Sequence, residues 1–161
     1  MKIVVKMKRR REGKTDYKAR IEMLKSNLPR IVFRKTNRYI IGSYVISKNA
    51  QDFVIVSVNS KELRKYGWND YNAKNLTACY LSGFLLGKKI IKKDISKECI
   101  LDIGLLRNIK GSKIYSFVKG LKESGIKIKC KEEMFPKEER IVKNKFFEYI
   151  KNKIENEFEG R

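Results

Sequence analysis

The sequence predicts an α/β protein built on a mixed sheet, with strands and helices in the order βββαβα and helices flanking the sheet. Three features point to it. Three β-rich runs fall between Arg30 and Val58 and are joined by short polar links. A long apolar pattern at helical spacing fills Asn75–Lys93, and a further strand and helix follow between Glu98 and Ser124. Strands that alternate with amphipathic helices in this way bury their faces as layers around one core.

Taken in order, residues 1–14 open with Ile3, Val4 and Val5 and then turn basic around Gly13, without sustained periodicity. This is an extended basic arm of the kind that orders on its partner. Thr15 or Asp16 caps a short helix through Leu24 with Tyr17, Ile21 and Leu24 on one face, and Pro29 ends it. Arg30–Lys35, Tyr39–Ser47 and Asp52–Val58 are β-branched and aromatic, with Gly42 a candidate bulge and links short enough for an antiparallel meander. Ser60 caps a brief helix, Lys61–Tyr66, stopped by Gly67.

In the central helix, Gly83 and Gly87 lie one turn apart. Each costs roughly 1 kcal/mol of helix propensity, so close packing against a sheet is the expected compensation. Glu98–Ile103 is a strand, Gly104–Gly111 a loop, Ser112–Ser124 a helix closed by Gly125, and Ile126 with Ile128 a short strand. Pro136 opens a last amphipathic helix to about Phe158, with Ile141, Phe146, Ile150 and Ile154 inward. The expected organisation is an arm (1–14), an α/β domain (15–134) and a C-terminal helix (135–161) packed on or extending from it.

A chain of 161 residues supports one core, and 42% hydrophobic residues are enough to fill it. Charged residues make up 35%, above the usual quarter or so. Enrichment in Lys and Glu also fits a thermophilic or AT-rich source, but it does not explain a net charge of +21. Residues 1–38 hold 14 basic and 3 acidic side chains, a net +11, whereas residues 131–161 hold 8 of each. Such a concentration of charge points to a polyanionic partner, and RNA leads. With no histidine, Ser-His and Cys-His catalysis and every His-containing metal site are excluded. Cys79, Cys99 and Cys130 form no CxxC pair and read as small buried hydrophobes in a reducing compartment. The N-terminus lacks the apolar segment of a secretory signal, and Leu76–Gly87 is too short to span a bilayer. A cytoplasmic protein is expected.

Gly83–Lys88 resembles a phosphate-binding P-loop only superficially. Its spacing is one residue short, no Ser or Thr follows the lysine, and the glycines lie inside a helix. Asp52 and Asp102, near strand ends, could serve a carboxylate-dependent nuclease, but two-metal cleavage needs more clustered carboxylates than these. The stronger pattern is basic and aromatic. Lys8, Arg9, Arg10, Arg11 and Lys14 are followed by Tyr17, Tyr39, Tyr66 and Trp68 interleaved with Arg20, Arg34, Arg38, Arg64 and Lys65. Guanidinium groups grip phosphates while aromatic rings stack on unpaired bases. Core packing is an equal reading of Tyr39, whereas Trp68 is expected on the surface. Arg107, Lys110 and Lys113 surround Gly104 and Gly111 at a helix N-terminus, where an anion is favoured; a solvated loop is the alternative.

The blocks RRREGKTDY (Arg9–Tyr17), KELRKYGW (Lys61–Trp68), TACYLSGFLLGKK (Thr77–Lys89), LDIGLLRNIKGSKIYSFVKG (Leu101–Gly120) and FPKEERI (Phe135–Ile141) occur in that order. Together they closely resemble the archaeal and eukaryotic form of the large-subunit ribosomal protein that binds 5S rRNA, number eighteen in bacteria and archaea and five in eukaryotes. The likeness implies a non-enzymatic, structural role without cofactor, metal or small-molecule substrate. It implies an anchor for 5S rRNA in the central protuberance, in contact with large-subunit rRNA and neighbouring ribosomal proteins, and a ribonuclease-H-like layout. RNA contacts then map onto Arg9, Arg10, Arg11, Lys14 and Tyr17; onto Arg34, Lys35, Asn37 and Arg38; onto Lys61, Lys65, Tyr66 and Trp68; and onto Arg107, Lys110, Gly111 and Lys113. Two loops depart from the family pattern: residues 69–74, which lack the usual glycines, and Lys129-Cys130, which replace Pro-His.

Overall fold

The computed structural model describes residues 5–49, 51–69, 73–95 and 98–159. Ile3 and Val4 of the expected arm, and residues 70–72 of the first departing loop, lie outside them. The described arm is not wholly extended: Lys8–Arg11 (α1) makes one helical turn, and Gly13 at φ +62° reverses the chain. Tyr17–Lys25 (α2) is capped by Asp16, whose carboxylate accepts from the N–H groups of Lys18 and Ala19. Its inward side carries Tyr17, Arg20, Met23 and Leu24, while Ile21, expected inward, is exposed.

Arg30–Lys35 (β1), Ile40–Lys48 (β2) and Gln51–Asn59 (β3) form an antiparallel meander. After Leu76–Lys92 (α3), Glu98–Asp102 (β4) pairs parallel with β1. Lys113–Glu123 (α4) leads to Lys127–Ile128 (β5), parallel to β4, so the five-stranded mixed sheet runs β3-β2-β1-β4-β5. The bulge lies not at Gly42 but between Tyr44 and Val45, which pair with Val56 and Val54 and leave Ile55 over. Gly42 makes room for a ring instead, since a Cβ there would lie 2.5 Å from Phe117 Cζ. Ser60–Tyr66 is a 3-10 turn capped by Asn59 and Glu62 in a capping box. Ser60, expected as the cap, accepts the Ile40 N–H instead.

Every residue of α3 from Thr77 to Gly87 is buried. A helix apolar on all sides must be surrounded, and α3 contacts α4, β2, β3, the 3-10 turn and the C-terminal helices. Its glycines meet another helix, not the sheet. A Cβ at Gly83 would stand 2.1 Å from the Phe117 carbonyl oxygen, and one at Gly87 1.7 Å from Ser124 Oγ. From the other side, a Cβ at Gly120 would stand 2.1 Å from the Tyr80 carbonyl oxygen. Ser116 Oγ donates to the Leu76 carbonyl at 2.7 Å, so α3 and α4 run side by side with their N-termini together. Cys79 and Cys99 are buried in this core, and loss of solvation pushes both thiols up to about 12.

The expected single C-terminal helix is two, Glu138–Val142 (α5) and Phe147–Glu159 (α6). Asn144 breaks it, because its side chain accepts the Phe146 N–H at 3.1 Å and its carbonyl accepts that of Phe147. The break shifts the helical phase by one residue. Phe147, Ile150 and Ile154 therefore face the core, and Phe146 is exposed. Phe147 packs on Tyr80 with ring centroids 5.2 Å apart.

On the sheet face away from α3, Arg30 is 3% exposed and sits between two carboxylates. Its Nη1 donates to Asp102 Oδ2 at 3.1 Å, and its Nη2 to Asp52 Oδ1 at 2.6 Å and Ser47 Oγ at 3.0 Å. Arg20 reaches the other oxygen of Asp52 at 2.6 Å, and Arg34 that of Asp102 at 3.0 Å. The network ties α2 to β1, β2, β3 and β4. Burial alone would raise the Asp52 carboxyl, but the Ser47 hydroxyl and the Arg30 and Arg20 guanidinium groups outweigh it and hold the group below its ordinary value.

In Gly83→Ala or Gly120→Ala the helix-propensity gain of about 1 kcal/mol is outweighed by a clash with backbone that cannot swing aside. Denaturant unfolding should therefore show a net loss of at least about 1 kcal/mol, and equal or greater stability would contradict the contact. Because Asp52 titrates lower in the folded than in the unfolded chain, its stabilisation is complete above the unfolded value near 3.9 and is lost as pH falls through the folded value. Melting curves should show a shallower acid loss in Asp52→Asn than in the parent, and parallel curves would remove Asp52 from the network's energetics.

Candidate nucleic-acid interface

Strands β1, β3 and β4 run the same way, so their carboxyl ends share one end of the sheet. The β1–β2 turn, the 3-10 turn after β3, the loop after β4 and the N-termini of α3 and α4 all meet there. Most of the basic residues singled out in the sequence are thereby gathered: Arg34, Lys35, Asn37 and Arg38 on the turn, Lys61, Arg64 and Lys65 after β3, and Arg107, Lys110 and Lys113 around the loop. The arm joins them. Arg9 and Lys14 share a cleft of about 370 Å³ with Arg34, Lys35 and Gly104.

Lys8, Arg9, Arg10, Arg11, Lys35, Lys61, Arg64, Lys65, Arg107 and Lys110 are exposed and form no ion pair among the described residues. Unpaired cations at one end of a protein make a field that attracts a polyanion. Other members of the set are held by the protein itself. Lys14 pairs with Glu12 at 2.8 Å, and Arg20 is spent on Asp52. Arg34 donates to the Phe33 and Asp102 carbonyls as well as to the Asp102 side chain, and its guanidinium carbon lies 3.1 Å from where a Cβ on Gly104 would stand. Arg34 is thus fixed in direction while remaining 45% exposed, a cation aimed outward by carboxylate support. Asn108 accepts from the Tyr115 hydroxyl, tying the loop after β4 to α4.

The aromatic half of the expectation needs correction. Trp68, expected on the surface, is 2% exposed, and Tyr66 is 8% exposed. Both belong to the core, with no free ring face for a base to stack on. Burial and the hydrogen-bonded Glu157 raise the Tyr66 phenol, so that side chain anchors α6. Polar neighbours around Trp68 in sequence gave no sign of this, because α6, 80 residues or so downstream, covers the turn. Tyr17 and Tyr39 are half-buried, Tyr39 against the core.

Asp52 and Asp102 do not form a free carboxylate pair. All four of their oxygens accept from arginine at 2.6–3.1 Å. Guanidinium groups occupy the lone pairs that a cation would need, and among the described residues no group of three or more acidic, Cys or His side chains is clustered to hold a metal. Sequence inspection missed Arg30 as the centre of this network. Nothing local marks it, because Asp102 lies 72 residues away.

Comparison with known proteins identifies the family. The family described as ribosomal large subunit proteins 60S L5 and 50S L18 matches residues 1–98. The chain is 48% identical to the large ribosomal subunit protein uL18 of Korarchaeum cryptofilum over 137 residues, covering 85% of the chain and 69% of that relative. It is 38% identical to the protein of the same name from Methanothermobacter thermautotrophicus, covering 96% of the chain and 79% of the relative. For that of Methanothrix thermoacetophila the identity is 37%, with coverages of 97% and 91%. With most of its length aligned to these archaeal proteins, and the basic blocks gathered at one end of its sheet, the chain belongs to the family of ribosomal large subunit proteins 60S L5 and 50S L18, in its archaeal type.

Proposed function

We propose that the protein is a non-enzymatic structural constituent of the large ribosomal subunit that binds 5S rRNA and anchors it in the central protuberance. There it joins 5S rRNA to large-subunit rRNA and to neighbouring ribosomal proteins of the cytoplasmic ribosome. The observation that carries this reading is the collection of exposed, unpaired cations from four separate segments at the carboxyl ends of β1, β3 and β4. Recognition is by shape and phosphate, since A-form RNA offers its backbone and 2′-hydroxyls more readily than its base edges. The strand order β3-β2-β1-β4-β5, with its parallel β1–β4 pair, supports a ribonuclease-H-like layout. Among the described residues this layout presents no free carboxylate pair on that sheet face, because Arg20, Arg30 and Arg34 pair with Asp52 and Asp102.

In this function the α1 turn and Lys14 lie along the RNA backbone, Arg34–Arg38 and Lys61–Lys65 flank it, and Arg107, Lys110 and Lys113 extend the contact. Tyr17 is the aromatic of this set whose ring retains partial exposure at the arm. The α/β body (15–134) supplies the rigid platform and the C-terminal helices (135–161) brace it.

The experiment is a salt titration of binding to refolded 5S rRNA by the full chain and by an Arg9→Ala/Arg10→Ala/Arg11→Ala variant. Each lost phosphate contact reduces the slope of log affinity against log salt by about 0.7–0.9. The variant should therefore bind more weakly, with a slope lower by about 2–3. Its melting temperature should hold, because these exposed side chains make one described hydrogen bond, Arg9 to Thr15. Unchanged affinity and slope would remove the arm from the interface.

A further inference from the structure

A second basic concavity lies between the paired N-termini of α3 and α4 and the α5–α6 connection, with a volume of about 880 Å³. It is lined by Lys113, Arg140, Lys143 and Lys145, and no carboxylate lines it. None of these four cations forms an ion pair among the described residues. Arg140 is drawn over the start of α4, its Nη1 3.6 Å from where a Cβ on Gly111 would stand. Side-by-side parallel helices place two positive dipole ends against each other, which favours an anion between them. At α4 the end is also uncapped: Ser112 Oγ is shielded from solvent and makes no hydrogen bond among the described residues.

Phe146 makes the concavity more than an anion site. The helix break at Asn144 turns this ring outward, 46% exposed, on the wall shared with Lys143 and Lys145. An exposed aromatic flanked by unpaired cations is the combination that takes single-stranded nucleic acid, with the ring stacking on a base and the cations neutralising its phosphates. An acidic peptide would use the lysines but leave the ring in water. We propose that this cleft is a second RNA site, which seats an unpaired nucleotide on Phe146 and its phosphates on Lys113, Arg140, Lys143 and Lys145, apart from the surface formed by the arm. It rests on the RNA-binding function proposed above, shares Lys113 with that surface, and adds Phe146 and the α5–α6 connection as a further point of attachment for a looped or bulged segment.

The test is amide NMR on the ¹⁵N-labelled full chain, titrated with the hexanucleotide r(A)6 and separately with inorganic phosphate. With r(A)6, amides of Ser112, Lys113 and Asn144–Phe146 should shift, as should those of Arg9–Lys14. Lys143→Ala/Lys145→Ala should abolish the cleft shifts and leave the arm shifts. Phe146→Ala should weaken cleft binding by about fivefold or more, and its effect should be absent with inorganic phosphate. All three positions are exposed, so the rest of the spectrum serves as the check on folding. Arm shifts without cleft shifts would overturn the second site while leaving the arm's role intact. Cleft shifts that inorganic phosphate reproduces at equal concentration, or that ignore Phe146→Ala, would also overturn it, leaving an ion site only. Silence at both places would overturn the RNA-binding function itself and the second site with it.

Discussion

The backbone-level contact between α3 and α4 is the constraint on which the rest of the molecule depends. Gly83 and Gly120 let each helix meet the other's carbonyl oxygens at distances no side chain allows, and Gly87 receives Ser124 in the same way. Helices held this closely cannot slide, so Phe117 is pressed toward the sheet, where it packs on Phe33 at 5.1 Å and requires glycine at position 42. A single close approach thereby sets the spacing of both helices from the sheet. It also brings their N-termini side by side at the end where β1, β3 and β4 finish. The loop after β4 is carried to the same end, held by Asn108 against Tyr115.

The opposite sheet face is organised by charge. A nearly solvent-free Arg30 is tolerable only because two carboxylates and a hydroxyl surround it, as buried ions need partners to offset desolvation. The same carboxylates extend outward, Asp52 to Arg20 and Asp102 to Arg34. Acidic side chains that would otherwise repel a polyanion are neutralised, and one of them steadies a guanidinium that stays partly in water. A fold with carboxylates on this face thus presents a cationic surface rather than a metal-binding one.

Much of this was legible in the chain. Helical spacing bounded by Asn75, and a run closed by Gly125, place α3 and α4 to within a residue or so, and the basic blocks are plain in the sequence. The spacing of Gly83 and Gly87 announced close packing but not its partner, because Gly120 lies 33 residues or so from Gly87 with nothing local to link them. Trp68 misled because burial by a distant helix leaves no trace in neighbouring residues. Phe146 and Phe147 were inverted because one asparagine resets the helical phase, which a continuous periodicity conceals. Equal numbers of acids and bases in residues 131–161 hid the most consequential feature of that segment. Arg140, Lys143 and Lys145 fall on one wall of a cleft that contains no acid, so a neutral total masked a segregated charge.

Specificity is where a 5S rRNA anchor differs from a merely basic protein, since a net charge of +21 binds any RNA at low salt. The most direct measurement is therefore competition: full-length protein bound to refolded 5S rRNA at physiological salt, challenged with increasing tRNA. An anchor shaped to one RNA should remain bound through a large molar excess of tRNA. Displacement at equal concentrations of the two RNAs would contradict it, leaving the cations at the end of the sheet as a general electrostatic surface.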